Sequence, residues 1–383
     1  MKKILVVAPC NYGPENYDGV KKILHNVFCK NTHWLVDYVH FHDVDNYDQL
    51  ANVKPFLVEQ EKTNFYNYFR YPAAIRHYDL KSMQIQVVEL VSRKKYDAIV
   101  VVTGVLASII SVLDKEARNK SYLLAIDSMP LFWSRNARTD NIVTRLKSIW
   151  QQFAWKNFEK KYYTQYRRVI FVSKLDTELY MENTGCQQGC TIENGIDTDS
   201  FRCIEYKKGN NVIFSGNMSY EPNREAIRYF IKEIYPYLCC KCPSVQIYIV
   251  GRNAESLKKY LPSSFNINIV SDVKDMGEAL SWAKVYVSPL LHGAGIKNKI
   301  LEALSAGKAI VGSAISFDGI DLDKEFCKCV AIANDADTYI ENILSFLKLD
   351  DDFVMKCGNA MHEYVASKYS WKLVADKYDS VIE

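Results

Sequence analysis

The residue types best suited to chemistry stand close together between Val285 and Val311. Two lysines, Lys297 and Lys299, occupy the start of a predicted helix, where the helix dipole disfavours positive charge. A bound anion would compensate for that position, and the free N–H groups of a helix start also favour phosphate. Glu302, one turn later, can accept hydrogen bonds from sugar hydroxyls. We therefore predict a nucleotide-sugar pocket here, and the alternative is a surface helix with solvated charges.

The elements around these charges indicate how they would be held. Val285–Leu290 is a short apolar run with β-branched residues, as expected of a buried parallel strand. The loop that follows contains Gly293, Ala294 and Gly295, and its glycines allow backbone conformations that other residues adopt only at a cost. Residues at helical spacing then mark one buried face of the helix, namely Ile296, Ile300, Leu301 and Leu304.

Two further candidates follow predicted strands of the same half of the chain. Gly216 comes directly after the strand Val212–Ser215, so a backbone N–H there could approach a phosphate closely. Arg252 follows the strand Val245–Val250 with one residue between, and its guanidinium could bind phosphate through two nitrogens. An ordinary turn at Gly216 and a surface arginine at Arg252 are the alternatives.

In the first half of the chain, Asp127 follows the predicted strand Tyr122–Ile126. A carboxylate at this position could act as a general base or orient an acceptor hydroxyl. The alternative is that Asp127 and Ser128 only cap a turn or helix. The loop after the first strand contains Gly13 and Gly19 and lacks the G-x-G-x-x-G fingerprint of dinucleotide enzymes. We expect it to close over a donor phosphate or an acceptor, and a plain connection is the alternative.

Predicted strands and helices alternate along the chain, which indicates parallel sheets with helices on both faces. In the first half the predicted strands are Ile4–Ala8, Trp34–Phe41, Ala98–Val102, Tyr122–Ile126, Val169–Val172 and Cys190–Ile192. In the second half they are Val212–Ser215, Val245–Val250, Ile267–Val270, Val285–Leu290 and Ala309–Val311. The polar and aromatic stretch Tyr47–Tyr71 reads as a lid-like insertion, and Arg202–Asn211 reads as a linker. We predict an α/β protein of two doubly wound domains that face each other across a ligand-binding cleft.

The composition excludes several classes of protein. The chain has 383 residues, of which 48% are hydrophobic and 24% charged, as in soluble globular proteins, and its net charge of +3 gives no general signal for nucleic acid. The apolar run at the N-terminus stops at Pro9, too early for a signal peptide, and the run Ala98–Leu113 is too short to span a bilayer. We expect a cytoplasmic protein with free thiols. The group Cys239, Cys240 and Cys242 lacks partners at zinc spacing, so we expect no metal site.

One predicted helical segment, Ile142–Tyr166, is both basic and aromatic. Such a helix can lie on an anionic membrane surface, and the alternative is a solvated face with an aromatic stripe in the core. Its basic residues include Lys147, Lys156, Lys160 and Lys161, with Arg167 and Arg168 directly after it, and its aromatic residues are Trp150, Phe153, Trp155, Phe158, Tyr162, Tyr163 and Tyr166.

Several segments together resemble the family 4 glycosyltransferases, which are retaining enzymes of the GT-B architecture. The resemblance covers most of the chain and is strongest in the stretch PLLHGAGIKNKILEALSAGKAIV. The other segments that carry it are Val172-Ser173, Asn194-Gly195-Ile196-Asp197, Phe214-Ser215-Gly216-Asn217-Met218 with Pro222-Asn223, Ser316-Phe317-Asp318-Gly319-Ile320, and Ser370-Trp371 before the final helix. The resemblance implies an acceptor-side domain over residues 1–203, to which a helix over 369–383 crosses back, and a nucleotide-sugar donor domain over residues 204–368.

The resemblance also implies an activity and roles for residues. A hexosyl group would pass from a UDP- or GDP-linked sugar to a glycan or lipid-linked acceptor in surface polysaccharide synthesis, with retained anomeric configuration and no required metal or cofactor. Glu302 would bind the ribose hydroxyls and Asp318 would line the nucleotide side of the pocket. Gly216, Lys297 and Lys299 would neutralise the departing diphosphate, a role that metal ions have elsewhere.

One position departs from the family pattern. Where the family has a second glutamate that contacts the donor sugar, this chain has Ala294, and we expect backbone N–H groups of the glycine loop to replace that contact. Lys299 and Asp127 are our candidate catalytic residues, with the acceptor bound near Asp127. Two other functions stay open from the sequence: a nucleotide-sugar epimerase of the same architecture, and a binding protein without catalytic activity.

Overall fold

The chain divides into two compact units. A computed structural model describes residues 1–12, 19–30, 33–41, 50–60, 72, 75, 79–138, 141–261, 266–293, 295–322, 326 and 328–382. The first unit consists of Met1–Gly195 together with Trp371–Glu383, and the second unit is Ile196–Ser370. The chain therefore leaves the first unit once and returns to it for its last segment.

The first unit is built on a seven-stranded sheet in which every pair of neighbouring strands is parallel. Its strands are β1 (Lys2–Ala8), β2 (Trp34–Phe41), β3 (Val53–Val58), β4 (Ala98–Val102), β5 (Ser121–Ile126), β6 (Arg168–Phe171) and β7 (Gly189–Thr191), in the spatial order β3-β2-β1-β4-β5-β6-β7. Strand β4 and the Ile4–Ala8 part of β1 are continuous apolar runs because the centre of a parallel sheet is covered on both faces.

The second unit repeats this plan with six parallel strands. They are β8 (Asn211–Ser215), β9 (Gln246–Gly251), β10 (Ile267–Ser271), β11 (Val285–Ser288), β12 (Ala309–Gly312) and β13 (Val330–Ile332), in the order β10-β9-β8-β11-β12-β13. The order reverses direction next to the first strand of each sheet, which is where open parallel sheets bind ligands. The predicted α/β class with two doubly wound sheets is confirmed.

Helices lie between most of the consecutive strands of both sheets. In chain order they are α1 (Gly19–Ile23), α2 (Lys81–Arg93), α3 (Lys115–Asn119), α4 (Met129–Asn136), α5 (Ile142–Tyr162), α6 (Lys174–Thr184), α7 (Glu221–Tyr229), α8 (Tyr235–Lys241), α9 (Met276–Leu280), α10 (Asn298–Ser305), α11 (Ala336–Leu347), α12 (Asp351–Tyr369) and α13 (Trp371–Val381). Short 3₁₀ segments cover Gly104–Val112, Tyr163–Gln165, Ala254–Tyr260 and Ala314–Phe317, and π-helical turns cover Leu24–Cys29 and Phe230–Ile234.

Two edge strands were missed from the sequence. β3 lies inside the stretch Tyr47–Tyr71 that we read as a lid-like insertion, so that interpretation is wrong for Val53–Val58. An edge strand is only half covered, which breaks the apolar pattern, and it accepts Pro55 because its outer N–H needs no partner strand. β13 is the other missed strand and also lies at an edge. The remainder of Tyr47–Tyr71 lies partly outside the described residues.

The helix predicted over Asn223–Leu238 is divided by a π-helical turn. Pro236 stands at the start of α8 and has no N–H to donate to the carbonyl one turn earlier. The hydrogen-bond ladder therefore shifts through Phe230–Ile234 before the helix resumes.

Most of the aromatic residues that we placed on a basic, membrane-facing helix belong to the core of the first unit. Trp155, Phe158, Tyr162, Tyr163 and Tyr166 are all 5% exposed or less. They form part of the apolar cluster under β4, β5 and β6. Only Trp150 and Phe153 of the predicted aromatic set are exposed. None of the described helices is long and apolar enough to cross a membrane.

The last helix, α13, completes the first unit. Its Tyr378 is buried and meets the Phe28 ring edge-on, with ring centroids 5.5 Å apart. At its end the Ile382 carbonyl accepts a hydrogen bond of 2.9 Å from Lys2 Nζ. Along its length Lys377 forms an ion pair of 2.6 Å with Glu193. The final segment is thus an integral part of the sheet-bearing unit in which the chain begins.

Candidate functional site

The glycine loop and helix predicted between Val285 and Val311 are present. Gly293 and Gly295 have positive φ angles of 143° and 65°, conformations in which a side chain would be strained. α10 begins at Asn298, directly after Lys297, so both lysines lie at its N-terminal end. Its inner face is formed by Ile300, Leu301 and Leu304, which are 1% exposed or less.

Lys297 lies folded against the loop that precedes it. Its Nζ donates a hydrogen bond to the Gly295 carbonyl. A Cβ at Gly293 would lie 3.1 Å from Lys297 Cε and 3.6 Å from its Nζ. Because Gly293 has no side chain, the Lys297 amine can lie close to the backbone of the loop.

Lys299 reaches from α10 to the end of the neighbouring strand β8. Its Nζ donates a hydrogen bond of 2.9 Å to Asn223 Oδ1 and lies 4.4 Å from the centroid of the Phe214 ring. The Asn223 amide is itself fixed by donating to the Asn217 carbonyl at 2.9 Å. A Cβ on Gly216 would lie only 2.8 Å from Asn223 Nδ2. Gly216 thus allows Asn223 the position from which it holds Lys299.

The surroundings of Lys299 disfavour its positive charge. Burial is the main cause, and the adjacent charge of Lys297 acts in the same direction, so that the pKa of Lys299 is lowered to about 7. The Glu302 carboxylate acts in the opposite direction. Glu302 also contributes to raising the pKa of the Tyr286 hydroxyl on β11, although burial is the larger cause there. Lys297, Lys299 and Glu302 therefore form one electrostatic group.

Gly216 and Arg252 lie together at the ends of neighbouring strands β8 and β9. The Met218 N–H donates to the Arg252 carbonyl at 2.8 Å, and a Cβ on Gly251 would lie 2.1 Å from the Gly216 carbonyl oxygen. One part of the prediction needs correction: the Gly216 N–H donates to the Val250 carbonyl at 3.0 Å, because the sheet ladder continues through it. Gly216 contributes space and not a free amide. The Arg252 side chain is exposed, and its role stays a prediction.

Asp318 follows the 3₁₀ turn after β12 and is half-buried. The turn is held by Ser316, whose hydroxyl donates to the Ser288 carbonyl at the end of β11 at 2.6 Å. Asp318 therefore lies at the same edge of the second sheet as α10, since both follow the carboxyl ends of adjacent strands. Its predicted contact with a nucleotide stays a prediction. Ala294 lies outside the described residues.

Asp127 lies in the first unit, at the carboxyl end of β5, and is half-buried. Ser128 is the helix cap of the alternative interpretation: its hydroxyl accepts from the Leu131 N–H at 3.3 Å, and its N–H donates to the buried Asp176 at 3.0 Å. The capping role of Ser128 is thus accounted for, while the role of Asp127 as a base or acceptor ligand stays a prediction.

Two residues with strained backbone lie at this edge of the first sheet, and no sequence pattern predicts them. Thr103 directly follows β4 and has a φ angle of 71°, and Ile126 is the last residue of the adjacent strand β5 and has a φ angle of 73°. Positive φ is unusual for β-branched residues, and such strain concentrates at functional sites.

The acceptor-side glycines are less informative. Gly19 is the first residue of α1, and Gly13 lies outside the described residues.

No group of three or more His, Cys, Asp or Glu side chains that could hold a metal ion is found among the described residues. Two residues that belong to the segments of the family resemblance, but were given no role from the sequence, also shape the site. Asn223 and Phe214 contact Lys299 from a different strand and helix, and only the fold brings them to it.

Comparison with known proteins gives a consistent result. Residues 209–349 match the sequence model of the family described as Glycosyl transferases group 1. A protein of Klebsiella pneumoniae described as an uncharacterized 44.6 kDa protein in the cps region is 21% identical over 68% of each chain. The phosphatidyl-myo-inositol mannosyltransferase of Mycobacterium tuberculosis is 28% identical over 56% of this chain, and the match spans 58% of that enzyme.

Solved structures resemble the whole chain. TarM superimposes with a TM-score of 0.72 at 12% identity and covers 100% of this chain and 99% of its own. Anabaena HepE, solved in complex with UDP and glucose, gives a TM-score of 0.63 at 11% identity, again over 100% of this chain and 99% of its own. At such identities the likeness concerns the fold.

Proposed function

We propose that this chain, which has the GT-B fold, is a family 4-like glycosyltransferase that transfers a hexosyl group from a nucleoside-diphosphate sugar with retention of anomeric configuration. The acceptor would be a glycan or a lipid-linked glycan in surface polysaccharide synthesis. The likeness to a protein of a cps region and to mannosyltransferases that act on phosphatidyl-myo-inositol supports this choice.

The lysine pair at the start of α10 is the observation that carries the proposal. Burial lowers the pKa of Lys299 to about 7, and the charge of a bound diphosphate would stabilise the protonated amine. During transfer the bond between the anomeric carbon and the β-phosphate oxygen breaks, and the acceptor oxygen bonds to that carbon. Negative charge grows on the diphosphate, and Lys297, Lys299 and the start of the helix would stabilise it more in the transition state than in the ground state.

The remaining residues have proposed positioning roles. Glu302, one turn into α10, would accept hydrogen bonds from the ribose hydroxyls. Arg252 and Asp318 would contact the nucleotide from the ends of β9 and β12. Asp127 would orient the acceptor hydroxyl and receive its proton. Because lysines supply the positive charge, we propose that turnover requires no metal.

The direct test is a panel of UDP- and GDP-linked hexoses, measured for hydrolysis and for transfer to lipid-linked acceptors, with and without EDTA. We expect release of nucleoside diphosphate from one donor and no loss with EDTA. If no donor is turned over and neither UDP nor GDP binds in calorimetry, the proposal fails. Interconversion of free nucleotide sugars without an acceptor would instead identify an epimerase.

For a lipid-linked acceptor the enzyme must work next to a membrane. We therefore propose a cytoplasmic enzyme that is peripheral to the inner face of the membrane.

A further inference from the structure

Helix α5 of the first unit has two opposite faces that are both apolar, and one of them is exposed. The inner face contains Trp155, Phe158 and Tyr162, which pack in the core. The outer face carries an apolar stripe at helical spacing, whose members and exposures are Ile142 72%, Val143 77%, Leu146 63%, Ile149 47%, Trp150 45% and Phe153 65%. A contiguous exposed stripe of this kind marks an interaction surface.

The stripe lies on a helix that is fixed from its other side. Asn141 caps the helix by accepting from the Thr144 N–H at 3.0 Å, so α5 is ordered from its first turn. Ser148 and Gln151, between the stripe residues in sequence, are buried on the inner face. The stripe is thus presented on a rigid element, and its residues cannot turn inward without removing Trp155 and its neighbours from the core.

Positive charge borders and continues the apolar stripe. Arg145 and Lys147 are exposed in its first turns, and Lys160 and Lys161 are exposed in the last turn of the same helix. The one carboxylate in α5, Glu159, is 0% exposed. No exposed negative charge on this helix therefore balances its cations.

This charge pattern distinguishes between possible occupants. Two copies of the chain that joined through this stripe would bring their lysines and arginines together, which is unfavourable. A bilayer with anionic lipids offers both an apolar layer for the side chains and negative head groups for the cations. We infer that α5 lies in the plane of an anionic membrane, with the stripe inserted below the head groups and Lys160 and Lys161 bound to lipid phosphates.

The inference adds to the proposed function a surface that would bring the enzyme to a lipid-linked acceptor. It can be tested without turnover. Vesicle co-sedimentation would compare the wild type with Leu146→Ser/Phe153→Ser, using phosphatidylcholine vesicles and mixed phosphatidylcholine–phosphatidylglycerol vesicles. We expect the wild type to bind the mixed vesicles, and the double variant to bind them about tenfold or more weakly.

A matched control comes from another helix of the same unit. Ile85 on α2 is 59% exposed, and Ile85→Ser should leave vesicle binding unchanged. Lys160→Gln/Lys161→Gln should weaken binding to the mixed vesicles by about tenfold or more and reduce its salt dependence. Quenching of Trp150 by brominated lipids, taken as the difference from Trp150→Phe, would report insertion directly.

Several results would overturn the inference. One is equal vesicle binding by the wild type and both double variants. Another is a wild type that does not bind vesicles and sediments as a dimer, while Leu146→Ser/Phe153→Ser sediments as a monomer. That result would identify the stripe as a contact between copies of the chain. Because the stripe is far in sequence from the lysine site, donor hydrolysis should persist in these variants. Loss of vesicle binding with intact hydrolysis therefore separates this inference from the proposed transfer reaction.

Discussion

Helices α10 and α5 both carry lysines and apolar residues, but they divide them differently between core and solvent. In α10 the apolar residues Ile300, Leu301 and Leu304 are buried, and the lysines lie half-buried at the start of the helix. In α5 a whole apolar stripe is exposed, and Lys160 and Lys161 lie exposed in the last turn.

The difference is also one of electrostatics. A lysine at a helix start opposes the dipole, and burial adds to that cost at Lys299, whose pKa is lowered to about 7. Lysines in a last turn are favoured by the dipole and remain hydrated. The first arrangement gains most from one small anion that enters the site. The second offers its charge to an extended surface. The same residue type, lysine, therefore suits different partners according to its burial and its position along the helix.

The largest effect is expected within α5, which carries one tryptophan on its inner face and one on its outer face. Trp155 is 0% exposed and Trp150 is 45% exposed. Trp155→Ala should lower the free energy of unfolding by about 3–5 kcal/mol because it leaves a cavity in the core. Trp150→Ala should change it by about 1 kcal/mol or less. Urea unfolding followed by circular dichroism measures both, and similar losses would mean that the outer face of α5 is covered.

Removal of the Lys299 side chain should have the next largest effect. Lys299→Ala should lower the rate of donor turnover by about 10²–10³-fold, as for loss of one group that stabilises a departing anion. The matched control is Lys160→Ala, which removes an equal charge from α5 and should leave turnover with a soluble acceptor unchanged. Retained turnover in Lys299→Ala would remove the basis of the proposed site.

Gly216 tests whether the position of Lys299 depends on its neighbours. In Gly216→Ala the new Cβ would meet Asn223 Nδ2 at 2.8 Å and displace the acceptor of the lysine hydrogen bond. We expect donor binding to weaken by roughly tenfold. Asn223→Ala should give a similar loss in calorimetry. If Gly216→Ala binds donor as the wild type does, Asn223 does not hold the lysine.

The smallest predicted effect is a pH dependence of donor binding. A diphosphate binds the protonated amine of Lys299, and that form is lost as the pH rises through about 7. Affinity for a nucleotide sugar, whose diphosphate diester does not titrate in this range, should fall by up to about tenfold per pH unit above 7. Calorimetry in buffers of different ionisation enthalpy should show proton uptake at pH 8. Proton uptake that persists in Lys299→Ala would assign the effect to another group.

Much of the fold followed from the sequence because buried parallel strands are continuous apolar runs. The central strands β1, β4, β8 and β11 have this property, and their predicted positions are close to those found. The edge strands β3 and β13 were missed because their outer sides are solvated and their patterns are mixed. The π-helical turn before Pro236 was missed for another reason, since the apolar spacing continues through it.

For the site, local features were predictable and contacts between distant segments were not. The glycine loop, Lys297, Lys299 and Glu302 lie in one strand–loop–helix segment, so their grouping is visible in the sequence. The bond from Lys299 to Asn223 joins residues that are 76 positions apart, and no local pattern indicates it. The aromatic count of α5 pointed to a membrane face, but spacing alone did not separate Trp150 from Trp155, because both faces of that helix are apolar.

The return of α13 to the first unit has a consequence for how the chain folds. A ribosome delivers β1 before the second unit and α13 after it. Domains generally fold in the order of synthesis, yet Phe28 cannot meet Tyr378 until the whole second unit has been synthesised. The inserted unit is therefore the first that can be completed. A stop codon shortly after Ser370 would spare the lysine site and damage the unit that was made first.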